Sequence, residues 1–297
     1  MTGGWPVLGG AEPWPAPGKL NLFLHVIGRR ADGYHLLQTA FQFIDLCDEI
    51  CFQVRPPGIV ERLDGVPGVP LDADLTLRAA RRLMAEATGH RPGVAIELRK
   101  RLPIQAGLGG GSSDAATVLV ALNELWGLGL AVEHLASLGL ELGADVPVFV
   151  RGSAAWAEGV GERLTPLDLP EPVYLLVQPD ATVSTAEVFK APELTRDSPA
   201  IKIADFLMAG GRNDCEPVVR RRFPAVAEAF DWLGLHAPVR LTGTGACVFA
   251  AMPDEASARA LLAEVPRRWR GYVVRGRNRS PLVARLRRER ERPGAAR

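Results

Sequence analysis

"LPIQAGLGGGSSDAATVLVALNELW", residues 102–126, decides how this chain is read. Gly107, Gly109, Gly110, Gly111, Ser112 and Ser113 stand directly before an acid and a run of small apolar residues. Glycine tolerates positive φ and close approach, so such a loop curls with several N–H groups pointing inward. "AATVLVALNELW" is apolar nearly all round, which predicts a buried, rigid helix. Ahead of the loop, "GVAIELRKRLP" alternates through Val94, Ile96 and Leu98 and reads as a strand. Strand, glycine loop and helix follow one another at anion sites, where unpaired first-turn N–H groups and the positive helix end face the ligand. Ser112 or Ser113 is placed as N-cap, with hydroxyls free for a phosphate or a metal ion. Asp114 reads as a first-turn acid that favours the helix dipole and points away from the ligand, with a metal-linked role as the minority option. No Lys follows the glycines, so this is not the Walker loop. Nor is it the dinucleotide fingerprint, because Gly107-x-Gly109-x-x ends on Ser112. The alternative is an ordinary β–α turn; a nucleotide triphosphate suits the collar on a rigid helix.

Chemistry to accompany a bound triphosphate needs an oriented, deprotonated acceptor. Asp145, in "LGADVPVFV", lies between a glycine-ended helix and an apolar run, where an unpaired carboxylate is expensive. Val146 precedes Pro147 and is biased to extended backbone. A cap or turn aspartate is an equal reading of that stretch. Lys19 begins the alternating strand "KLNLFLHVI", with Leu20, Leu22, Leu24 and Val26 on one face and Lys19, Asn21, Phe23 and His25 on the other. Taken alone it suits a sheet-edge lysine; an Asp and a Lys meeting in a cleft would polarise a hydroxyl between them. In "LTGTGACVFA", residues 241–250, Gly243 and Gly245 interrupt a strand-like run and mark a bulge or a close approach.

The 297 residues are enough for roughly two domains. Lys and Arg number 35 against 34 Asp and Glu, so no overall field attracts nucleic acid or a membrane. Residues 275–292 hold eight Arg and two Glu, which reads as a solvated terminal helix with a frayed tail. Cysteines 47, 51, 215 and 247 form no C-x-x-C pair, and the expectation is reduced thiols. The N-terminus lacks the regions of a signal peptide, and no apolar run reaches the length of a membrane span. A cytoplasmic protein is expected, without nucleic acid or membrane.

Elsewhere, Asp32-Gly33 signals a tight connection and "LLQTAFQFIDLCDEICFQV" is extended. Residues 75–87 read as a helix with a stripe at Leu75, Ala79, Leu83, Met84 and Ala87. "AVEHLASLGLELG" is a second helix, and "ADVPVFVRGSAAWAEGVGERL" reads as extended. Pro-rich "LTPLDLPEP" is a plausible junction, placing domains at 1–160 and 161–297. Beyond it "VYLLVQP", "VRLTGTGACVFAAM" and "GYVVRGRN" read as strands, separated by helices such as "PAVAEAFDWLG" and "EASARALLAEVP". The fold class is α+β in two domains.

Together the lysine segment, the phosphate loop and the C-terminal glycine segment resemble the GHMP kinase superfamily. "KLNLFLHVIGRRADGYHLLQTAFQFIDLCDEI", "LGADVPVFVRGSAAWAEGVGERLTP", "RLTGTGACVFA", "NDCEP" (213–217) and "RNRSPL" are similar to its branch that acts on a cytidine diphosphate-linked methylerythritol. The similarity runs from about residue 14 to 284. It implies an N-terminal ATP-binding domain and a C-terminal ferredoxin-like α/β-sandwich domain, with the active site in the cleft between them. The implied reaction is ATP-dependent phosphorylation of the 2-hydroxyl of 4-diphosphocytidyl-2-C-methyl-D-erythritol. Another small alcohol such as mevalonate or homoserine is the alternative acceptor. ATP with Mg²⁺ would lie on Pro103, Ile104, Gln105, Ala106, Gly107, Leu108, Gly109, Gly110, Gly111, Ser112 and Ser113. Asp145 would be the general base and Lys19 would orient the hydroxyl. Tyr34 and His35 would hold the cytosine, Phe189 would stack on it, and Asn21, Thr185 and Lys190 would contact substrate. No protein metal ligands are expected, and the implied state is a monomer or weak homodimer. Two departures stand out: "PAPGK" replaces Pro-Ala-Lys ahead of "LNL", and Asp74-Leu75 replaces an Asn-Leu whose Asn tends to face adenine.

Overall fold

Two long antiparallel strands carry the architecture. The computed structural model describes residues 6–292 other than 11, 66–68, 88 and 90. In chain order the first half comprises β1 (Val7–Leu8), β2 (Trp14–Arg29), β3 (His35–Arg55), β4 (Val60–Arg62), α1 (Leu75–Met84), β5 (Gly93–Arg99), α2 (Gly110–Leu125), α3 (Val132–Leu142), α4 (Val146–Arg151), β6 (Ala155–Glu158) and β7 (Arg163–Pro166). The second half follows with β8 (Val173–Gln178), α5 (Thr185–Lys190), α6 (Ile203–Ala209), α7 (Glu216–Arg222), α8 (Pro224–Gly234), β9 (Val239–Leu241), β10 (Val248–Met252), α9 (Glu255–Glu264), β11 (Arg270–Arg277) and α10 (Pro281–Arg290).

Strand β3 is the hub. It pairs with β2, β5 and β6, and β11 joins it to the second-half strands in the order β5-β3-β11-β8-β10-β9. One core packs α1, α2, α3 and α4 on the β2–β3–β5 face, around Phe43, Phe52, Leu119 and Phe149. A second core lies beneath β8 and β10 and takes in Val219, Val226, Leu233 and Val248. Between them, Phe23 stacks on Trp156 and Phe206 in a third cluster. Helix α2 is buried along almost its whole length from Ser113 to Asn123, as its all-round apolar sequence requires.

Several expectations need correction. Strand β2 begins at Trp14, so Lys19 lies within the strand and is buried, not at a sheet edge facing water. Pro15 and Pro17 are tolerated because, among the described residues, this part of β2 pairs with β3 alone. The register shifts between Pro17 and Lys19 and again between Asn21 and Leu24. At the first shift β2 advances two residues while β3 advances four, from Cys47 to Phe43, and a Cβ on Gly18 would lie 2.9 Å from Leu102. The second sends Phe23 into the third cluster and His25 edge-on against it, so neither shares a surface with Lys19 and Asn21.

Residues 146–151 are helical rather than extended. Pro147 sits in the first turn of α4, where its missing N–H costs nothing. The expected helix over 75–87 ends at Met84. Residues 243–246, expected within a strand, instead form a turn between β9 and β10. The arginine-rich helix α10 is only partly solvated. Arg285 is buried over the Trp14 ring and pairs with Glu289, and Leu282 enters the first core. The tail beyond residue 292 lies outside the described residues.

Candidate active site

An edge strand exposes a row of backbone groups that must find partners. The outer edge of β2 finds them in the glycine segments. Lys19 N donates to Leu108 O at 2.9 Å, and Asn21 N donates to Thr242 Oγ1 at 3.1 Å. After the register shift, Leu24 N donates to Arg212 O and Val26 N to Asp214 Oδ2. The phosphate-type loop is therefore stitched to the lysine strand on one side. On the other, Cys247 N donates to Ala106 O at 3.2 Å and Thr242 Oγ1 donates to Gly107 O at 3.1 Å. Gly107 has φ +77°, and a Cβ there would lie 2.1 Å from Thr242 O. Gly109, at φ +69°, is the N-cap of α2 and offers no side chain. The amides of Gly110, Gly111 and Ser112 precede the first intrahelical bond, from Ser113 N to Gly109 O.

Lys19 and Asp145 meet at the lip of this loop. Lys19 Nζ donates to Asn21 Oδ1 at 2.5 Å and to Gly107 O at 3.1 Å, and lies 3.4 Å from Asp145 Oδ2. Asn21 is itself held by Nδ2 donating to Thr39 Oγ1 at 2.9 Å. The lysine side chain is 4% exposed, whereas that of Asp145 is 32% exposed. Asp145 occupies the N-cap position of α4 yet makes no capping hydrogen bond. Its carboxylate is thus left facing the ammonium and the open cavity, which is not how a cap aspartate behaves.

A cavity of about 1120 Å³ runs through this point. It is lined by Pro103 through Ser112, by Lys19, Asn21 and Asp145, and by Tyr34, His35, Thr185, Phe189 and Lys190. One end of the cavity is aromatic: the His35 and Phe189 rings are 5.0 Å apart with planes 32° apart. Tyr34 is 64% exposed beside them. Thr185 and Thr244 exchange a hydroxyl hydrogen bond of 2.9 Å across the floor. At the opposite end, Arg62, Asp74, Leu75 and Lys100 close the wall beyond the glycine loop.

Sequence and structure comparisons place these features in a known setting. The model of the GHMP kinases N terminal domain matches residues 74–153, and that of the GHMP kinases C terminal domain matches residues 193–271. The chain belongs to the GHMP kinase family. A 4-diphosphocytidyl-2-C-methyl-D-erythritol kinase of Nitrosococcus oceani is 58% identical over 270 residues, covering 91% of this chain and 96% of the relative. One of Halorhodospira halophila is 59% identical over 273 residues, covering 91% and 94%. The crystal structure of a 4-(cytidine 5'-diphospho)-2C-methyl-D-erythritol kinase superposes with TM-score 0.77 at 36% identity, covering 88% of this chain and 98% of that one. A Methanococcus jannaschii mevalonate kinase shares the fold, with TM-score 0.66 at 18% identity over 94% and 100% of the two chains. This GHMP kinase has the two-domain α+β fold of its family and is an ATP-dependent small-molecule kinase.

Within the GHMP kinase site, two serine readings change. Neither Ser112 nor Ser113 is the N-cap, because α2 starts two residues earlier, at Gly110. Ser113 does not line the cavity; it is fully buried and its hydroxyl has no partner among the described residues. Asp114 falls in the second turn rather than the first and is ion-paired. Lys100 Nζ lies 2.9 Å from Asp114 and 2.5 Å from Asp48, whose other oxygen accepts from Arg101 N and Leu102 N at the entry to the loop. Burial drives the Asp114 carboxyl above its usual range; Lys100 opposes this and Asp48 adds to it. Asp74 spends both oxygens elsewhere. Oδ1 accepts from Thr76 N at 2.8 Å and caps α1, and Oδ2 accepts from Arg62 at 2.7 Å.

Sequence reasoning missed the residues that fasten the site: Thr39, Asp48, Lys100 and Thr242. Only Thr242 carried a signal, through the glycines beside it.

Proposed function

We propose that this chain transfers the γ-phosphoryl group of ATP to the 2-hydroxyl of 4-diphosphocytidyl-2-C-methyl-D-erythritol, giving the 2-phosphate and ADP on the route to isoprenoid precursors. The observation that carries the reading is one continuous cavity. It joins the amide collar at residues 107–112, the Lys19–Asp145 pair and the His35–Phe189 wall.

The triphosphate lies on the collar, where first-turn amides and the α2 dipole offset its charge. Phosphoryl transfer needs little covalent help, so placement of the acceptor and removal of its proton are the protein's tasks. Asp145, with one cationic neighbour and an open face, accepts the hydroxyl proton. Lys19, held by Asn21 and Gly107, orients the hydroxyl and offsets charge as it develops. Tyr34 and Phe189 sandwich the base while His35, Thr185 and Lys190 hold its edge and the diphosphate. Mg²⁺ fits as an ion carried in on the phosphates. Such an ion takes most of its oxygens from phosphate and water, and the described residues contain no group of three or more His, Cys, Asp or Glu that could cage it. Ser112, on the cavity wall, supplies a hydroxyl of the kind it would use; when bound, the ion offsets phosphate charge. We read residues 1–160 and 161–297 as the two domains, with α10 packed back on the first, and the chain as a monomer or weak homodimer in the cytoplasm.

A GHMP-type kinase for mevalonate or homoserine is the second reading. It has less need of an aromatic acceptor wall. ADP release measured with the cytidine-linked alcohol, mevalonate and homoserine separates the two. Turnover with the first alone is expected, and turnover with either of the others but not the first would reverse the assignment.

A further inference from the structure

One guanidinium ties the acceptor wall together. Arg196, six residues beyond the end of α5, donates from Nε to His35 Nε2 at 3.1 Å. Its Nη1 donates to Leu194 O at 3.0 Å, and its Nη2 donates to Phe189 O at 2.9 Å and to Ala191 O at 2.7 Å. Phe189 lies in the last turn of α5, where carbonyls lack intrahelical partners. The same group that fixes the stacking residue therefore also grips the imidazole facing it.

Arginine has donors only and keeps its charge. His35 Nε2 must then be the accepting nitrogen, and the single proton of a neutral ring sits on Nδ1. Partial burial, followed by the charges of Arg196 and of Arg29 on β2, holds the imidazole below its usual pKa and so keeps it neutral. Among the described residues no protein group bonds Nδ1, and the ring lines the cavity.

We propose that Arg196 is a positioning residue: it locks His35 as the Nδ1–H tautomer and pins the Phe189 wall, so that the cavity presents one fixed N–H donor to the acceptor edge of a cytosine. The inference rests on the cytidine-linked substrate. Cytosine offers acceptors at N3 and O2. With the proton on Nε2 instead, a lone pair would face those lone pairs, and Arg196 would lose its acceptor.

The test is ¹⁵N NMR of the histidine side chains in the full chain, together with calorimetric titration of cytidine diphosphate and of ATP. Wild-type His35 is expected to carry its proton on Nδ1. In Arg196→Met the ring should shift toward the Nε2–H tautomer. Cytidine diphosphate should then bind about tenfold or more weakly, as for loss of one well-placed hydrogen bond and its geometry, while ATP affinity moves by less than about twofold. Arg196→Lys keeps the charge but not the planar fork, and should follow Arg196→Met. If Arg196→Met does not fold, the wild-type spectrum decides the tautomer and Arg196→Lys decides the affinity. A wild-type Nε2–H signal, or undiminished cytidine diphosphate binding in a folded variant, overturns the proposal at Arg196. A wild-type Nδ1–H signal without any affinity for cytidine diphosphate overturns it through the substrate reading instead.

Discussion

The two ends of the cavity are built differently. The amide-collar end is backbone: a glycine loop whose Ala106, Gly107 and Leu108 carbonyls accept hydrogen bonds from β2 and from the β9–β10 turn, with Gly107 so close to Thr242 that a single methyl would collide. The acceptor end is side chain: Tyr34 largely exposed, His35 leaning on Phe189, and Arg196 behind them. A backbone cradle has no spare conformations, so damage there spreads to every acceptor. A side-chain wall loses one contact at a time, so damage there changes which acceptor is used.

Gly107→Ala should do the most harm. The new Cβ meets a backbone oxygen at 2.1 Å and demands φ +77° of an L-residue. Turnover should fall at least about a hundredfold with any acceptor, because the triphosphate is displaced from the amide collar. Near-normal steady-state rates would show the cradle to be more yielding than described. Phe189→Ala should act on one side only. The KM of the cytidine-linked alcohol should rise about tenfold through lost stacking area, with the KM of ATP unmoved. An equal rise for ATP would erase the distinction between the two ends.

The smallest effect lies beneath the cradle. Folding disfavours the charged form of Asp114, because burial raises its pKa. Stability linked to this group is fully present below the ordinary carboxylate range and is lost as pH rises through the raised value. Asp114→Asn removes that loss. Its melting temperature should exceed wild type by about 2–4 °C, roughly 1 kcal/mol, at pH 8, and that gain should shrink as pH falls toward the ordinary carboxylate range. Thermal melts that show the reverse pH trend would mean that the Lys100 pairing outweighs burial.

Much of this site was legible in the sequence because its signals are local. A glycine loop ahead of an apolar helix reads as an anion cradle or an ordinary β–α turn, and Lys19 and Asp145 stand out as charges in apolar stretches, each with a structural alternative at least as good when taken alone. What was not legible depends on distant partners. Helix α4 is a six-residue helix with three valines, and it reads as a strand until packing against α2 and α3 is known. A register shift between Asn21 and Leu24 breaks the alternation of β2, so strict alternation misplaced Phe23 and His25. Ser113 looked like a cap because the glycines before it were read as loop, when Gly110 and Gly111 already belong to the helix. Arg196 is 161 positions from His35 and nothing around it in the sequence announces the contact.

The central claim is that Asp145 takes the acceptor's proton beside Lys19 while the nucleotide is held elsewhere. Single-turnover phosphorylation of the cytidine-linked alcohol by Asp145→Asn, with ATP affinity measured in parallel, tests it most directly. The account predicts a rate lower by about 10²–10⁴ with ATP bound as in wild type. A variant that phosphorylates at the wild-type rate, with ATP bound equally well, would contradict it.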